Sequence, residues 1–227
     1  MQLIRIWIVV LWLGSADAGG FAQAAPDGAE LYVEYCGACH QMQGQGGIGL
    51  PLLTSKLADV SDEYLSSTIR LGRPGRVMPG FMRMSDAQVD AIVRYLREQS
   101  GTRAAEFSDE AVPGDAARGE AVYTRHCAKC HGADGRGEGK GTGVTQSRDR
   151  SFLVMPASIS NPGFLASAPD QMLRRVIAAG RESSDMPAFG KGKLSESQID
   201  DVVAYVRSFE QRGRTVEALD PEERPTH

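Results

Sequence analysis

Apolar residues recur at helical spacing near the end of each half of this chain. Val89, Ile92, Val93 and Leu96 fall at i, i+3, i+4 and i+7, and Ile199, Val202, Val203 and Val206 repeat the pattern. Each stretch opens on a serine followed three residues later by a glutamine, Ser85 with Gln88 and Ser195 with Gln198. That pairing satisfies the first free amides of a helix. A further amphipathic stretch precedes each, Asp62–Leu71 before Gly72 and Asp170–Ala179 before Gly180, with glycine suited to the position just past a helix end. Another helix is predicted from about Ala29 to Cys36, and another from about Ala116 to Cys127. Alternating β-branched runs are nearly absent, so the pattern predicts an all-α fold.

The two halves are one unit written twice. Gly28, Tyr32 and His40 stand 91 residues before Gly119, Tyr123 and His131. The offset grows to 108 at Met78 and Met186 and to 110 at Ser85 and Ser195, which is the mark of homologous domains with loops of different length. A solenoid would need more copies of a shorter repeat. The reading is a first domain over 25–100, a second over 116–210, and a polar linker over 101–115 broken by Pro113-Gly114. Residues 211–227, polar and charged, are read as a disordered tail. Domains this small, with long glycine-rich loops, hold little side-chain core and need some other mass to complete it.

The first residues have a grammar of their own. Arg5 precedes an apolar run from Ile6 to Leu13, then small residues with A-x-A sites at Ala16–Ala18 and Ala22–Ala24. This predicts a signal peptide over 1–24, removed before Ala25, because the run is far shorter than the roughly 20 apolar residues of a membrane span. The mature chain has no transmembrane stretch and is placed in the periplasm, with peripheral membrane association left open. Of 227 residues, 41% are hydrophobic and 24% charged, and the formal net charge of −4 is spread over both halves. There is no basic field for nucleic acid.

Against this background the cysteines are informative. All four, Cys36, Cys39, Cys127 and Cys130, sit in two copies of C-x-x-C-H, closed by His40 and His131. Cysteines at i and i+3 project from one side of a helical turn, so their sulfurs can reach two neighbouring substituents of one planar ligand. The next residue can turn an imidazole toward the centre of that plane, which is the attachment pattern of a c-type haem. Zinc would need a fourth ligand in each domain, and a thioredoxin-like pair would need a βαβ setting.

An iron held by His40 or His131 needs a sixth ligand. Met78-Pro79 and Met186-Pro187 each follow a glycine-terminated helix, and proline keeps the residue before it extended, so Met78 and Met186 are the candidates. Met84 aligns with Leu194 and Met155 with Leu50, which assigns both methionines to the core; Met82 stays as a weaker alternative ligand. Among other histidines, His126 directly precedes Cys127 and His227 ends the chain, so bis-histidine ligation is excluded for at least one haem.

With C-G-A-C-H, C-A-K-C-H, Met-Pro-Gly-Phe, Met-Pro-Ala-Phe and the closing helices in place, the chain resembles a two-domain, dihaem c-type cytochrome. Each half is similar to the small class I cytochrome c fold, and the likeness runs from about Ala25 to Phe209. The resemblance implies two covalently bound haem c groups and crossed first and last helices. It also implies a carbonyl from the loops around Pro51 and Pro156 on each histidine's second nitrogen. Pro156 lies 25 residues past His131 where Pro51 lies 11 past His40, so the second domain carries an inserted loop. Its Gly-rich start lacks the Ser or Thr and the preceding strand of a phosphate-binding loop.

His/Met ligation on both irons leaves no open coordination site and favours the ferrous form, which suits an electron carrier and not an enzyme. The expected partners are redox proteins: a dehydrogenase or quinol-oxidising donor, and a terminal oxidase or reductase as acceptor. The alternatives are a cytochrome subunit of a dehydrogenase or reductase complex and a dihaem peroxidase-like enzyme. Arg73, Arg76 and Arg83 near Met78, and Arg181, Lys191 and Lys193 near Met186, are candidates for steering acidic partners.

Overall fold

The computed structural model describes residues 25–74, 76–137, 157–181 and 186–217. The expected leader, most of the inserted loop with Met155 and Pro156, and the last ten residues with His227 lie outside them.

The first half contains α1 (Gly28–Tyr35), α2 (Gly37–His40), a 3-10 helix (Ser55–Asp59), α3 (Asp62–Leu71) and α4 (Asp86–Ser100). The second half answers with α5 (Ala116–His126), α6 (Ala128–His131), α7 (Pro162–Ser167), α8 (Asp170–Ala179) and α9 (Glu196–Glu217). Among the described residues there is no strand, only an isolated bridge between Arg181 and Met186. The described residues are all-α, and the second half repeats the element order of the first. Both capping boxes form: Gln88 N donates to Ser85 Oγ (3.3 Å) and Gln198 N to Ser195 Oγ (3.2 Å), with the glutamine side chains answering at 2.9 Å. α9 runs on to Glu217, into the charged stretch that follows residue 210, since charge argues against burial but not against helicity.

In each half the first helix crosses the last, α1 over α4 and α5 over α9. The crossings are so close that a Cβ on Gly28 would lie 2.1 Å from Ala91 O, and one on Gly119 would lie 1.9 Å from Asp201 O. A tyrosine from each helix meets at the crossing, Tyr32 with Tyr95 at 5.2 Å between ring centroids and Tyr123 with Tyr205 at 5.1 Å. Val89, Ile92, Leu96, Val202, Val203 and Val206, singled out by periodicity, are buried beneath them.

An arginine then ties each last helix to the turn before the third. Arg97 donates to Asp62 Oδ1 (2.7 Å), Val60 O (2.8 Å) and Leu57 O; Arg207 donates to Asp170 Oδ1 (2.5 Å), Leu165 O (2.6 Å) and Ala168 O. These partners stand in equivalent places of the repeat. The linker is pinned on both sides, Ala105 N to Val60 O (3.0 Å) and Val112 N to Asp170 Oδ2 (3.1 Å), and α3 packs on α7 across the junction. Buried residues of both halves form one continuous apolar cluster.

Candidate functional site

The attachment motifs sit at the end of the crossing. Tyr32 Oη donates to Gln41 O over 2.9 Å and Tyr123 Oη to Gly132 O over 2.7 Å, so a buried phenol anchors the residue after each histidine. Burial pushes the Tyr32 phenol up to about 12, which keeps it a donor. The chain then turns back and Gly46 N and Gly137 N, again 91 residues apart, donate to His40 O (2.9 Å) and His131 O (2.7 Å). Up to residue 137 the second loop follows the first, which places the insertion after it.

These turns bring a backbone carbonyl against each imidazole. His40 Nδ1 donates to Leu50 O at 2.6 Å and His131 Nδ1 to Ala157 O at 3.0 Å. A carbonyl only accepts, so Nδ1 must carry the hydrogen and Nε2 keeps its lone pair. The donors' partners are the residues flanking the expected prolines, Leu50 before Pro51 and Ala157 after Pro156. Burial lowers the His131 pKa, against a smaller opposing effect of the Ala157 carbonyl, and so favours the neutral ring.

Cys36, Cys39 and Cys127 are half-buried, Cys130 is exposed, and all four are free thiols. Burial, with a smaller contribution from the neighbouring Cys39 or Cys130, pushes Cys36 and Cys127 up to about 11, so both are neutral near pH 7. Met78 and Met186 are half-buried in loops that fold back on the preceding helix: Phe81 N donates to Ile69 O (3.0 Å) and Phe189 N to Ile177 O (3.1 Å). Met84 and Leu194 are buried, as their alignment predicts. Leu50 is not core: its side chain is 70% exposed, because its carbonyl is turned to His40.

The residues fit a haem. In the first half Ile48 and Leu50, in the loop that reaches His40, and Val77 and Met82, in the Met78 loop, are 64%, 70%, 71% and 76% exposed, and large apolar side chains left open on both loops imply an apolar group that covers them. Each motif also presents two unpaired thiols and an imidazole with a free Nε2. His126 is exposed, edge-on to Phe189 at 6.0 Å. The charged rim needs correction. Arg83, Lys191 and Lys193 are exposed, but Arg73 is turned into the junction between the halves, within reach of Tyr64 and Gly163 O. Sequence reasoning missed that junction and the Arg97 and Arg207 ties; the equivalent placement of the two arginines in the repeat was the available signal for the ties.

Comparison with known proteins bears on both sites. The family model described as cytochrome c oxidase, cbb3-type, subunit III matches residues 23–96 and 114–206. A cbb3-type cytochrome c oxidase subunit CcoP of an Azospirillum species is 28% identical over 85% of this chain and 64% of that protein. A cytochrome bc1 complex cytochrome c subunit of Corynebacterium diphtheriae is 25% identical over 80% of this chain and 65% of that protein. The chain thus spans just under two thirds of the length of these curated relatives. A chain of a reducing HAO-like protein complex of Kuenenia stuttgartiensis shares the fold, with a TM-score of 0.56 at 22% identity over 80% of this chain and 94% of that one.

Proposed function

The chain belongs to the family described as cytochrome c oxidase, cbb3-type, subunit III, and from that premise we propose that it carries electrons between a respiratory donor and a terminal oxidase or reductase. Two tandem cytochrome c-like domains imply two covalently bound haem c groups. Residues 25–100 and 116–210 are the haem-bearing units, and 101–115 joins them. Cys36 and Cys39 would hold one group and Cys127 and Cys130 the other, through thioether bonds from their sulfurs. His40 and Met78 would ligate the iron of the first group, and His131 and Met186 that of the second.

The observation that carries this reading is the matched pair of imidazoles, His40 on Leu50 O and His131 on Ala157 O, each with Nε2 left as the donor nitrogen. The carbonyl fixes the tautomer and the ring's orientation and raises its basicity as a ligand. When bound, the group supplies reversible one-electron chemistry, and methionine opposite histidine favours the ferrous form. With a histidine and a methionine side chain on each iron, the site would exclude water and substrate.

A spectroelectrochemical titration of the purified protein tests this, with the expected result of two low-spin haems per chain and a high-potential couple for each. Met78→Ala and Met186→Ala are each expected to convert one haem. One haem per chain, or a high-spin parent, refutes the reading. Strong cyanide binding by the parent would favour the peroxidase-like alternative.

The relatives' roles as oxidase and bc1 subunits favour a second reading, a cytochrome subunit of a larger complex, which copurification with a catalytic chain decides. Among the described residues no helix is long and apolar enough to cross a membrane. Export by the 1–24 leader places the protein in the periplasm, and an exported chain beginning at Ala25 is the expected product.

A further inference from the structure

The loop that carries Met78 is held from two sides. Within its own domain, Arg73 N donates to Met78 O over 3.0 Å and Arg76 N to Arg73 O over 2.9 Å. The other side is the second domain. Asn161, buried at the start of α7, donates from Nδ2 to Pro74 O over 2.8 Å, while its Oδ1 caps α7 by accepting from Phe164 N at 3.3 Å. The Arg73 guanidinium lies 5.8 Å from the Tyr64 ring centroid and 5.9 Å from that of Phe164. It donates to Gly72 O (2.8 Å), Thr68 Oγ1 (2.9 Å), Tyr64 Oη (3.0 Å) and, across the junction, Gly163 O (3.4 Å). Arg76 reaches Arg136 O over 2.5 Å. The fit leaves no slack: a Cβ on Gly163 would lie 2.5 Å from Gly72 O and 2.9 Å from Pro74 Cδ.

The second domain supplies the comparison. Arg181 stands 108 residues after Arg73 and follows Gly180 as Arg73 follows Gly72. Its loop closes on itself, Arg181 N to Met186 O at 2.7 Å and Met186 N to Arg181 O at 3.2 Å. Between described residues the first loop shows only the former of these two bonds. A loop with few bonds of its own opens at low cost unless something outside holds it.

We propose that the second domain positions Met78. Asn161 through Pro74, and Arg73 through its seat between Tyr64 and Phe164, hold the first loop in the shape that presents the thioether. Axial ligation in the first domain therefore depends on contact with the second, and ligation in the second does not depend on the first. This rests on the reading of Met78 as a ligand.

The test uses the full haem-loaded chain. In the ferrous protein each coordinated methionine gives a methyl proton resonance shifted far upfield by the haem ring, and the one lost in Met78→Ala belongs to Met78. Asn161→Asp keeps the acceptor that caps α7 and removes the donor to Pro74 O. Arg73→Lys keeps the charge and loses the stacked fork. A neutral hydrogen bond is worth about fivefold in an equilibrium, so Asn161→Asp is expected to raise cyanide affinity at one haem by about fivefold. Both variants are expected to broaden the Met78 resonance and lower one midpoint potential, leaving the Met186 resonance and the other potential unchanged. Arg118→Lys, which weakens the tie between α5 and Asp201 of α9 and touches neither α7 nor the loop, is expected to leave the Met78 resonance sharp. Unchanged resonances and potentials in both junction variants overturn the proposal, as does a Met78 resonance that broadens equally in Arg118→Lys. Two resonances surviving in Met78→Ala instead overturn the ligand assignment beneath it.

Discussion

Replacing Gly119 by alanine sets two effects of opposite sign against each other. Inside an exposed helix the change would add about 1 kcal/mol, the difference in helix propensity between the two residues. Gly119 is not exposed to solvent: it is the point where α5 crosses α9. The new methyl would lie 1.9 Å from Asp201 O and 2.9 Å from Tyr205 Cβ, where ordinary contact begins near 3.4 Å, so the helices must part by about 1.5 Å. The carbonyl is part of the α9 backbone and cannot rotate away as a side-chain tip could. Parting the helices also disturbs the Tyr123 and Tyr205 contact and the bonds that Arg118 donates to Asp201. Overpacking costs about 1–3 kcal/mol, and with the lost contacts the net expectation is about 2 kcal/mol of destabilisation. For a domain of this size that lowers the midpoint by about 10 °C. Calorimetry of the haem-loaded protein measures it, with hydrogen exchange assigning each transition to a domain. Gly28→Ala is expected to lose at least as much in the first domain, since Gly28 is the first residue of α1 and gains little propensity there. An unchanged or raised midpoint in Gly119→Ala refutes the argument and returns the repeated glycine to chance.

Three further outcomes are expected. Arg207→Ala leaves Asp170 without its closest cation and the Leu165 and Ala168 carbonyls without a donor, and is expected to cost about 3 kcal/mol in denaturant unfolding, as is Arg97→Ala in its own domain. Arg118, aided by the Asp115 amide, holds the Asp201 carboxyl below the usual aspartate range. A lowered folded pKa contributes stability that is present above the unfolded value, about 4, and lost as pH falls through the folded one. Second-domain unfolding followed against pH is expected to show this loss, and Asp201→Asn to flatten it. Gln41, at φ 63° and ψ 154°, occupies a region that glycine tolerates best, and its counterpart is Gly132 at φ 79° and ψ 161°. Gln41→Gly is therefore expected to raise first-domain stability by up to about 1 kcal/mol, net of the greater freedom glycine gains on unfolding.

What the sequence disclosed and what it hid follow from the range of the interactions involved. The helices of the repeat were legible because periodicity and caps act within a few residues, and Ser85 and Ser195 form the boxes their spacing predicts. The C-x-x-C-H motifs were legible because their residue types stand at a fixed spacing, as at Cys36, Cys39 and His40. The imidazole partners were less so: only the loop around each proline could be named, and the oxygens belong to Leu50 and Ala157 because loop geometry, not residue type, aims a carbonyl. Leu50 shows the cost of reading burial from alignment alone, since apolar positions beside a prosthetic group look like core but face outward on the bare chain.

Arg73 and Arg181 carry the same lesson further. They are the same residue at the same place of the repeat, each following the glycine that ends a helix and opening a methionine loop. A single domain offers no means to tell them apart. In the first copy the guanidinium crosses to α7 of the second, and the loop, closed by the Arg73 N to Met78 O bond, is held from outside as well. In the second copy the loop is closed by its own backbone, and the buried Arg181 Nε finds no hydrogen-bond partner. The difference arises from order along the chain: one repeat has a successor packed against its methionine loop, and among the described residues the other has none. A duplicated unit can thus acquire two unlike sites with no change in the residues that define them. Any difference between the two haems in potential or ligand exchange should be sought first at the junction and only then among the ligands.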